Sequence, residues 1–249
     1  MHAEDAITLG PTAIAAIAAM ALVFVARRYR AESRRQIALV GGVLACWVAV
    51  GSPLGGYVHE LLSAHMLQHL LLSTVAAPLL WLGASEVPAR TWTRSLGRVL
   101  GHPIVTWSAP VVVLFTWHVP AMFDLALRSP VYHTVEQASF LASGLLFWSP
   151  IVGSFGASPG SPRWLLPLYL FLATLPCDAL AAFLAFSDRV VYSAYLTTPR
   201  HVAVTALQDQ ACAGAIMWVA VTLAYGVPAV AITTTLLAAP AADRGLVAQ

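Results

Sequence analysis

Long apolar segments recur along the chain, and short polar segments separate them. Each of these segments holds about 20 mostly apolar residues, enough for a helix to cross a hydrocarbon core of roughly 30 Å. The predicted spans are residues 8–26, 36–54, 61–82, 103–119, 132–152, 164–186 and 210–236. The fourth span is the weakest, because Pro103 and Pro110 interrupt a short segment. The pattern therefore predicts an all-α, polytopic membrane bundle of seven transmembrane helices.

The arginines set the predicted orientation of this bundle. All 13 basic residues are arginine, and with the N-terminus outside, ten of them fall on the cytoplasmic side and three on the outer side. Cytoplasmic loops concentrate arginine and lysine, so we expect the N-terminus outside and the C-terminus in the cytoplasm. The 11 acidic residues leave a net charge of +2, which gives no reason to expect nucleic-acid binding.

Composition narrows the class of protein further. Hydrophobic residues make up 59% of the 249 positions and charged residues 10%, which excludes an ordinary soluble domain. The loops between spans are too short to fold separately, so residues 1–249 are predicted to form a single membrane domain without a large catalytic domain. No cleavable signal is visible at the start, and we expect the first span to remain in the mature protein. No nucleophile with a neighbouring base is apparent, so we do not expect an enzyme.

A histidine-rich segment, HELLSAHMLQHLL, opens the third span. His65 and His69 are four residues apart and project from the same helix face, with Cβ atoms about 6 Å apart, so both can ligate one metal ion. Met66 lies on an adjoining face. His59 precedes the helix, where a loop can fold it back toward the same site.

The next outer connection carries a second group of candidate ligands. His118 ends the fourth span, and Met122 and Asp124 follow in a segment predicted to be a loop. His133 and Glu136 open the fifth span and share a helix face at a spacing of three. Two separate sites, or one shared pocket with the third span, both fit this spacing.

The outer parts of the sixth and seventh spans add Cys177, Asp178, Asp209, Gln210 and Cys212. His69 and Asp178 each lie roughly 12 Å below the outer ends of their spans, so the two can meet at one level. Imidazole suits copper, zinc and iron, whereas thioether and thiolate favour Cu(I). The set therefore predicts an outward-opening pocket that binds copper, with zinc and haem as open alternatives and the carboxylates able to orient imidazoles.

Motifs spread over most of the chain resemble a known family. They are HMLQHLLLSTVAAPLLWLG in the third span, WHVPAMFDLAL after the fourth, HTVEQASFLASGLLFWSPI in the fifth and DQACAGAIMWV in the seventh. The chain resembles the seven-span CtaG-type cytochrome c oxidase assembly factors. The positions that match the family pattern are His65, His69, His118, His133, Glu136, Asp209 and Gln210.

The resemblance implies a multi-pass protein of the bacterial plasma membrane, needed for maturation of haem–copper oxidase. Its expected partners are oxidase subunits, an outer-side copper donor and the lipid bilayer, and its expected cargo is copper, in the form of Cu(I). Three other functions fit the sequence: a copper permease, a bis-histidine haem protein and a metal-free assembly scaffold. Because ligation requires neutral imidazole, we expect copper affinity to weaken as pH falls below about 6.5.

Overall fold

The computed structural model describes residues 33–84, 100–152 and 163–238, and within these ranges the chain is helical with no strand. The helices are α1 (Ser33–Gly51), α2 (Leu54–Tyr57), α3 (Leu62–Leu70), α4 (Ala77–Ala84), α5 (Pro103–His118), α6 (Pro120–Arg128), α7 (Pro130–Val152), α8 (Leu165–Phe186), α9 (Ala194–Thr197) and α10 (Ala206–Ala238). A π-helical segment, Leu71–Ala76, joins α3 to α4 without a break.

Several of these helical stretches are long and apolar enough to cross a membrane. Four meet that test as single stretches: Arg34–Tyr57, Leu62–Ala84, Leu165–Phe186 and Ala206–Ala238. The bent pair α5 and α6 gives a fifth if it is counted as one span. Helix α7 covers the predicted span 132–152 but is not among these candidates, and the predicted span 8–26 lies outside the described residues. A helical membrane architecture is confirmed, whereas seven spans and the orientation of the termini stay predictions.

The described surface is rich in large apolar side chains. Phe186 is 79% exposed, Leu237 73% and Ile37 71%. Exposed apolar side chains in such number are unfavourable in water but favourable against lipid tails.

Small residues allow close contact between helices, as is usual where lipid removes the hydrophobic driving force for helix association. A Cβ at Gly214 of α10 would lie 2.6 Å from the Ala181 carbonyl oxygen of α8.

One predicted connection is a helix and not a loop. Residues Pro120–Arg128 form α6, which leaves α5 at a bend of 76°. Pro120 stands at the first helical position, where proline costs no hydrogen bond and its fixed φ suits a helix. The prediction that Asp124 lies in a loop was therefore wrong, because a proline that ends one helix also begins the next.

The π-helical segment begins two residues after His69. Its wider turn shifts the backbone hydrogen-bond register, and two hydroxyls accompany the change. Ser73 Oγ donates to the His69 carbonyl oxygen at 2.8 Å, and Thr74 Oγ1 donates to the Leu70 carbonyl oxygen at 2.7 Å. Trp148 of α7 donates its Nε1–H to the Ser73 carbonyl oxygen at 3.0 Å. Local π turns are frequent at functional sites, and this one connects the histidine helix to α7.

Gly144 allows α7 to approach that segment closely. A Cβ at this position would lie 2.9 Å from both Cα and the carbonyl oxygen of Ser73, and 3.1 Å from Ala77 Cβ. Backbone atoms cannot move aside as a flexible side chain can. The absence of a side chain at Gly144 is therefore a condition for the packing of α7, which carries Glu136, against the π-helical segment and α4.

We predict that Gly144→Ala destabilises the protein by about 1–3 kcal/mol, the usual cost of overpacking a well-packed interface. Gly226→Ala is the matched control, because a Cβ at Gly226 in α10 meets nothing within 4 Å in the described ranges. Unfolding of both variants in detergent micelles measures the difference. Equal stability of the two variants would contradict the close approach.

Candidate metal centre

His65, His69 and Glu136 form a buried cluster, called here the His–Glu cluster. The two histidines project from α3 and the glutamate from α7, and the three residues are 0%, 3% and 1% exposed. His65 Nε2 lies 2.7 Å from His69 Nε2, and Glu136 Oε1 lies 3.3 Å from the first nitrogen and 3.1 Å from the second. Three potential ligand atoms therefore converge on one point.

These separations match what one metal ion requires. With bonds of about 2.0–2.2 Å to histidine nitrogen and carboxylate oxygen, ligand atoms around a tetrahedral ion lie about 3.3–3.5 Å apart. The two distances to Glu136 Oε1 are already close to that range, and the 2.7 Å between the imidazole nitrogens has to widen slightly. The donor set therefore fits a first-row transition metal.

Charge balance in the cluster also favours a cation. Within the described ranges, the ion-pair partners of the buried Glu136 carboxylate are the two imidazoles. A carboxylate removed from water is costly unless positive charge or hydrogen-bond donors compensate it. His65 Nδ1, His69 Nδ1 and Glu136 Oε2 are buried and have no hydrogen-bond partner among the described residues. A proton or a bound metal cation can supply the missing positive charge.

Aromatic rings hold the two imidazoles in place. Phe140 of α7 stacks on His69 with ring centroids 4.1 Å apart, and Phe123 of α6 packs against His65 at 4.9 Å. Tyr192 in turn stacks on Phe123 at 3.9 Å. Helix α6, which lies where the sequence predicts a loop, thus supplies one wall of the cluster.

Met66 and His118 meet beside the cluster. His118 Nε2 lies 3.3 Å from Met66 Sδ, and both residues are buried. They line a cavity, called here the Met66 cavity, together with His69, Cys177 and Met217; its empty volume of ≈ 660 Å³ includes space open to its surroundings. Cys177 lines this cavity with His69, whereas its neighbour Asp178 is not among the described residues that line it.

His133 takes part in an amide network on the other side of α3. His133 Nε2 lies 3.1 Å from Gln68 Oε1, and since an amide oxygen only accepts, the imidazole nitrogen donates. Gln137 Nε2 donates to the same oxygen at 3.2 Å, and Gln68 Nε2 donates to the Ala49 carbonyl oxygen at 2.7 Å. In this arrangement His133 Nε2 holds α7 to α3 and α1.

His59 and His133 face a second pocket, called here the His59 pocket, with an empty volume of ≈ 960 Å³ that includes open solvent. The ring centroids of His59 and His133 are 5.6 Å apart, and those of His133 and His65 are also 5.6 Å apart. His59 is exposed, as expected of a residue at the rim. The pocket thus reaches from the surface to His133, whose ring packs against that of His65 in the His–Glu cluster.

Asp209 caps the histidine helix from another helix. Its Oδ2 accepts from the Leu62 backbone N–H at 2.6 Å, and its Oδ1 accepts from the Ser63 N–H at 3.3 Å and the Ser63 hydroxyl at 2.5 Å. The residue at the N-cap position, Leu61, offers no side-chain acceptor. A carboxylate at a helix N-terminus satisfies orphan N–H groups and interacts favourably with the helix dipole. Asp209 thereby fixes where α3 begins.

Gln210 hydrogen-bonds to the backbone at the end of α8 and in the turn that follows it. Its Oε1 accepts from the Val191 N–H at 2.7 Å, and its Nε2 donates to the Arg189 carbonyl oxygen at 3.0 Å and the Leu184 carbonyl oxygen at 3.3 Å. These bonds tie the turn after α8 to the start of α10. The side chains of Asp209 and Gln210 therefore both hydrogen-bond to backbone groups of other segments. Neither side chain is part of the His–Glu cluster.

The remaining predicted ligands lie away from the His–Glu cluster. Met122 is 37% exposed on α6, and Asp124 lies 3.8 Å from Arg128 one turn later. Cys212 is exposed on α10. Asp178 is half-buried, and its Oδ1 is buried without a partner in the described part of the chain.

Three features of the site were not predicted from the sequence. Gln137 joins the His133 network, and its position four residues after His133 on one helix was an available signal. Phe123 and Phe140 pack on the imidazoles, but aromatic residues in an apolar span carry no distinguishing pattern. The π-helical segment could have been suspected only from the Ser73–Thr74 pair that follows the histidines.

Fold and site together define a class: a helical membrane protein with a buried, metal-competent His–Glu cluster between two helices. The sequence model of the family described as cytochrome c oxidase caa3 assembly factor (Caa3_CtaG) matches residues 18–239. The chain therefore belongs to this family, and the resemblance seen in its motifs is confirmed.

Two curated proteins illustrate the likeness. The chain is similar to the uncharacterized protein Mb0105 of Mycobacterium bovis (strain ATCC BAA-935 / AF2122/97) and to the uncharacterized protein MT0111 of Mycobacterium tuberculosis (strain CDC 1551 / Oshkosh). Each is 28% identical over 226 residues, covering 78% of this chain and 33% of the relative. The chain thus spans about a third of the length of these relatives. No solved structure matches the chain.

We predict that Asp209→Ala frees the start of α3 and lowers stability by about 0.5–2 kcal/mol, the usual cost of losing an N-cap. Hydrogen exchange at the Leu62 and Ser63 amides should accelerate, whereas Asp209→Asn, which keeps one acceptor oxygen, should retain protection at one of the two amides. The control Asp188→Ala alters an acid in the turn after α8. Unchanged exchange at both amides in Asp209→Ala would contradict the capping role.

A surface ion pair outside the spans gives a pH prediction. His201 Nδ1 lies 2.8 Å from Glu60 Oε2; this hydrogen bond raises the pKa of His201 above its ordinary 6.5 and lowers the pKa of Glu60 below its ordinary 4.5. The histidine's contribution to stability is complete below its ordinary pKa and is lost as pH rises through the raised value. The glutamate's contribution is present above its ordinary pKa and is lost as pH falls through the lowered value.

We therefore expect Glu60→Gln to lower the pKa of His201, measured by NMR titration of the ring protons. Asp124→Asn, which removes a remote carboxylate, should leave the pKa of His201 where it is. A His201 pKa that does not respond to Glu60→Gln would contradict the ion pair.

Proposed function

We propose that this chain assists the assembly of haem–copper cytochrome c oxidase by binding copper at the His–Glu cluster and releasing it to the catalytic subunit. The observation that carries the proposal is the convergence of His65 Nε2, His69 Nε2 and Glu136 Oε1 in a buried site. Membership of the cytochrome c oxidase assembly factor family supports an oxidase as the recipient of the copper. The protein acts by holding and handing over an ion, not by catalysing a reaction.

The surroundings of the cluster favour copper over other metals. Imidazole accommodates copper and zinc alike, but the buried thioether of Met66 and the thiol of Cys177 are close by in the Met66 cavity. Soft sulfur ligands select Cu(I). The cargo is therefore Cu(I), and the Glu136 carboxylate offsets its charge.

The His59 pocket offers the entry path. Its rim carries His59, and His133 lies between that rim and His65, with both ring separations at 5.6 Å. With the predicted orientation this pocket faces the outer side of a bacterial plasma membrane. A copper donor on that side delivers the ion to the pocket, and the exposed imidazole of His59 is the first ligand it meets.

Release of copper requires contact with an oxidase subunit inside the bilayer. The described helices present a broad apolar surface, with Val131 70% and Val230 65% exposed, suited to lipid and to another helical membrane protein. Lateral docking of that kind lets the ion pass between proteins without entering water. The oxidase subunit and the copper donor are the proposed partners.

We predict that His65→Ala/His69→Ala abolishes copper binding at the His–Glu cluster, with the affinity of that site falling by more than about 100-fold, the upper range for losing a ligand-orienting contact. The matched control is His102→Ala/His201→Ala, which removes two exposed histidines outside the cluster. Elemental analysis of detergent-purified protein after anaerobic Cu(I) loading measures the bound metal. Oxidase activity in membranes of a strain lacking the wild-type copy measures the consequence and should fall with the first variant alone.

The same experiment separates the alternatives. Copper binding unchanged in His65→Ala/His69→Ala would contradict the site, and oxidase activity unchanged in that variant would favour a metal-free scaffold. A sharp Soret band in the purified protein would indicate a haem protein. Copper uptake that depends on this chain, with normal oxidase in its absence, would indicate a permease.

A further inference from the structure

The contact between Met66 and His118 has an unusual proton balance. His118 Nδ1 lies 2.7 Å from the Leu114 carbonyl oxygen, and because a carbonyl oxygen only accepts, Nδ1 carries the proton and donates it. In the neutral ring, Nε2 then holds a lone pair. That lone pair faces the sulfur of Met66 at 3.3 Å, and a thioether has no proton to give.

Two lone pairs facing each other at this distance do not form a hydrogen bond, but they suit a cation held between them. A metal-binding histidine commonly donates its other ring N–H to a backbone carbonyl, as His118 does to Leu114. His118 and Met66 are 8% and 1% exposed, so water does not compete for the pair. The geometry is that of two ligands already oriented toward one ion.

Further soft donors line the same cavity. Cys177 of α8 and Met217 of α10 are 7% and 2% exposed and border the Met66 cavity with Met66 and His118. No carboxylate is among the described residues that line it. Neutral nitrogen and sulfur ligands in an apolar surrounding suit a soft cation of single charge, because a divalent ion is far more costly to desolvate there.

We propose that Met66 Sδ and His118 Nε2 form a second metal site, specific for Cu(I), at the edge of the Met66 cavity and distinct from the His–Glu cluster. The inference rests on the proposed function in taking copper as the cargo. His69 borders this cavity and belongs to the His–Glu cluster, so the two sites are neighbours. The chain thereby offers copper a nitrogen–oxygen site at the His–Glu cluster and a nitrogen–sulfur site at the Met66 cavity.

Met66→Leu tests the second site, since leucine replaces methionine in a core with little change of volume. The control is Met122→Leu, which removes an exposed thioether from α6. Detergent-purified full chain is loaded anaerobically with Cu(I) and, separately, with Zn(II), and bound metal is counted per chain. X-ray absorption at the copper edge reports whether sulfur is a ligand.

We expect Met66→Leu to lose about one equivalent of Cu(I) and the sulfur signal, while Zn(II) binding and the control variant stay as in wild type. Sulfur ligation that persists in Met66→Leu, or a wild-type copper spectrum with nitrogen and oxygen ligands alone, would overturn the second site. Selenomethionine-labelled protein provides a check free of any folding defect, because absorption at the selenium edge should show a copper neighbour.

The variant His65→Ala/His69→Ala tests the proposed second site and the proposed function of the His–Glu cluster separately. Sulfur-ligated copper that remains in this variant supports a second site independent of the His–Glu cluster. Copper bound by nitrogen and oxygen alone, and lost in this variant, overturns the second site and leaves the proposed function standing. Sulfur-ligated copper lost in Met66→Leu, together with unchanged Zn(II) binding and oxidase activity in His65→Ala/His69→Ala, supports the second site and contradicts the proposed function of the His–Glu cluster.

Discussion

A carboxylate buried between helices in an apolar surrounding must be compensated, and Glu136 meets the two imidazoles of His65 and His69, where a proton or a bound cation supplies the positive charge. The glutamate comes from α7 and the histidines from α3, so the contact exists only while these two helices stay in register. A slide of one turn, about 5.4 Å, would leave a buried charge without a partner.

Three interactions far apart in sequence keep that register. Asp209 of α10 fixes the start of the histidine helix through its backbone N–H groups. Gly144 lets α7 lie against the backbone at Ser73, and Trp148 donates its Nε1–H to the Ser73 carbonyl oxygen. Stability and candidate function are thus joined, because the contacts that hold the helices together are those that aim the three ligand atoms.

Several parts of this arrangement follow from sequence alone. The apolar segments predict the helices, and the spacing of His65 and His69 predicts their common face, since both follow from helix periodicity. The pairing of His133 and Glu136 on one face was also predictable, yet only Glu136 reaches the His–Glu cluster, whereas His133 turns to Gln68. Both residues meet α3, but the α3 side chain that each one contacts depends on the relative rotation of the two helices, which periodicity within one helix does not contain.

The role of Asp209 shows the same boundary between what sequence does and does not determine. An acid at the outer end of a span is equally suited to a metal and to a helix N-terminus. Its hydrogen bonds to Leu62 and Ser63 join residues that are 147 and 146 positions apart in the sequence. A local sequence pattern does not predict a contact across such a separation. The α6 helix was missed for a different reason: the segment after His118 was predicted to be a loop, although the proline at its start favours a first helical turn.

Anomalous X-ray diffraction from crystals of the copper-loaded full chain, measured on both sides of the copper absorption edge, tests the central claim most directly. The account predicts an anomalous peak bounded by His65 Nε2, His69 Nε2 and Glu136 Oε1. Well-ordered side chains at these three residues with no copper peak between them would contradict it.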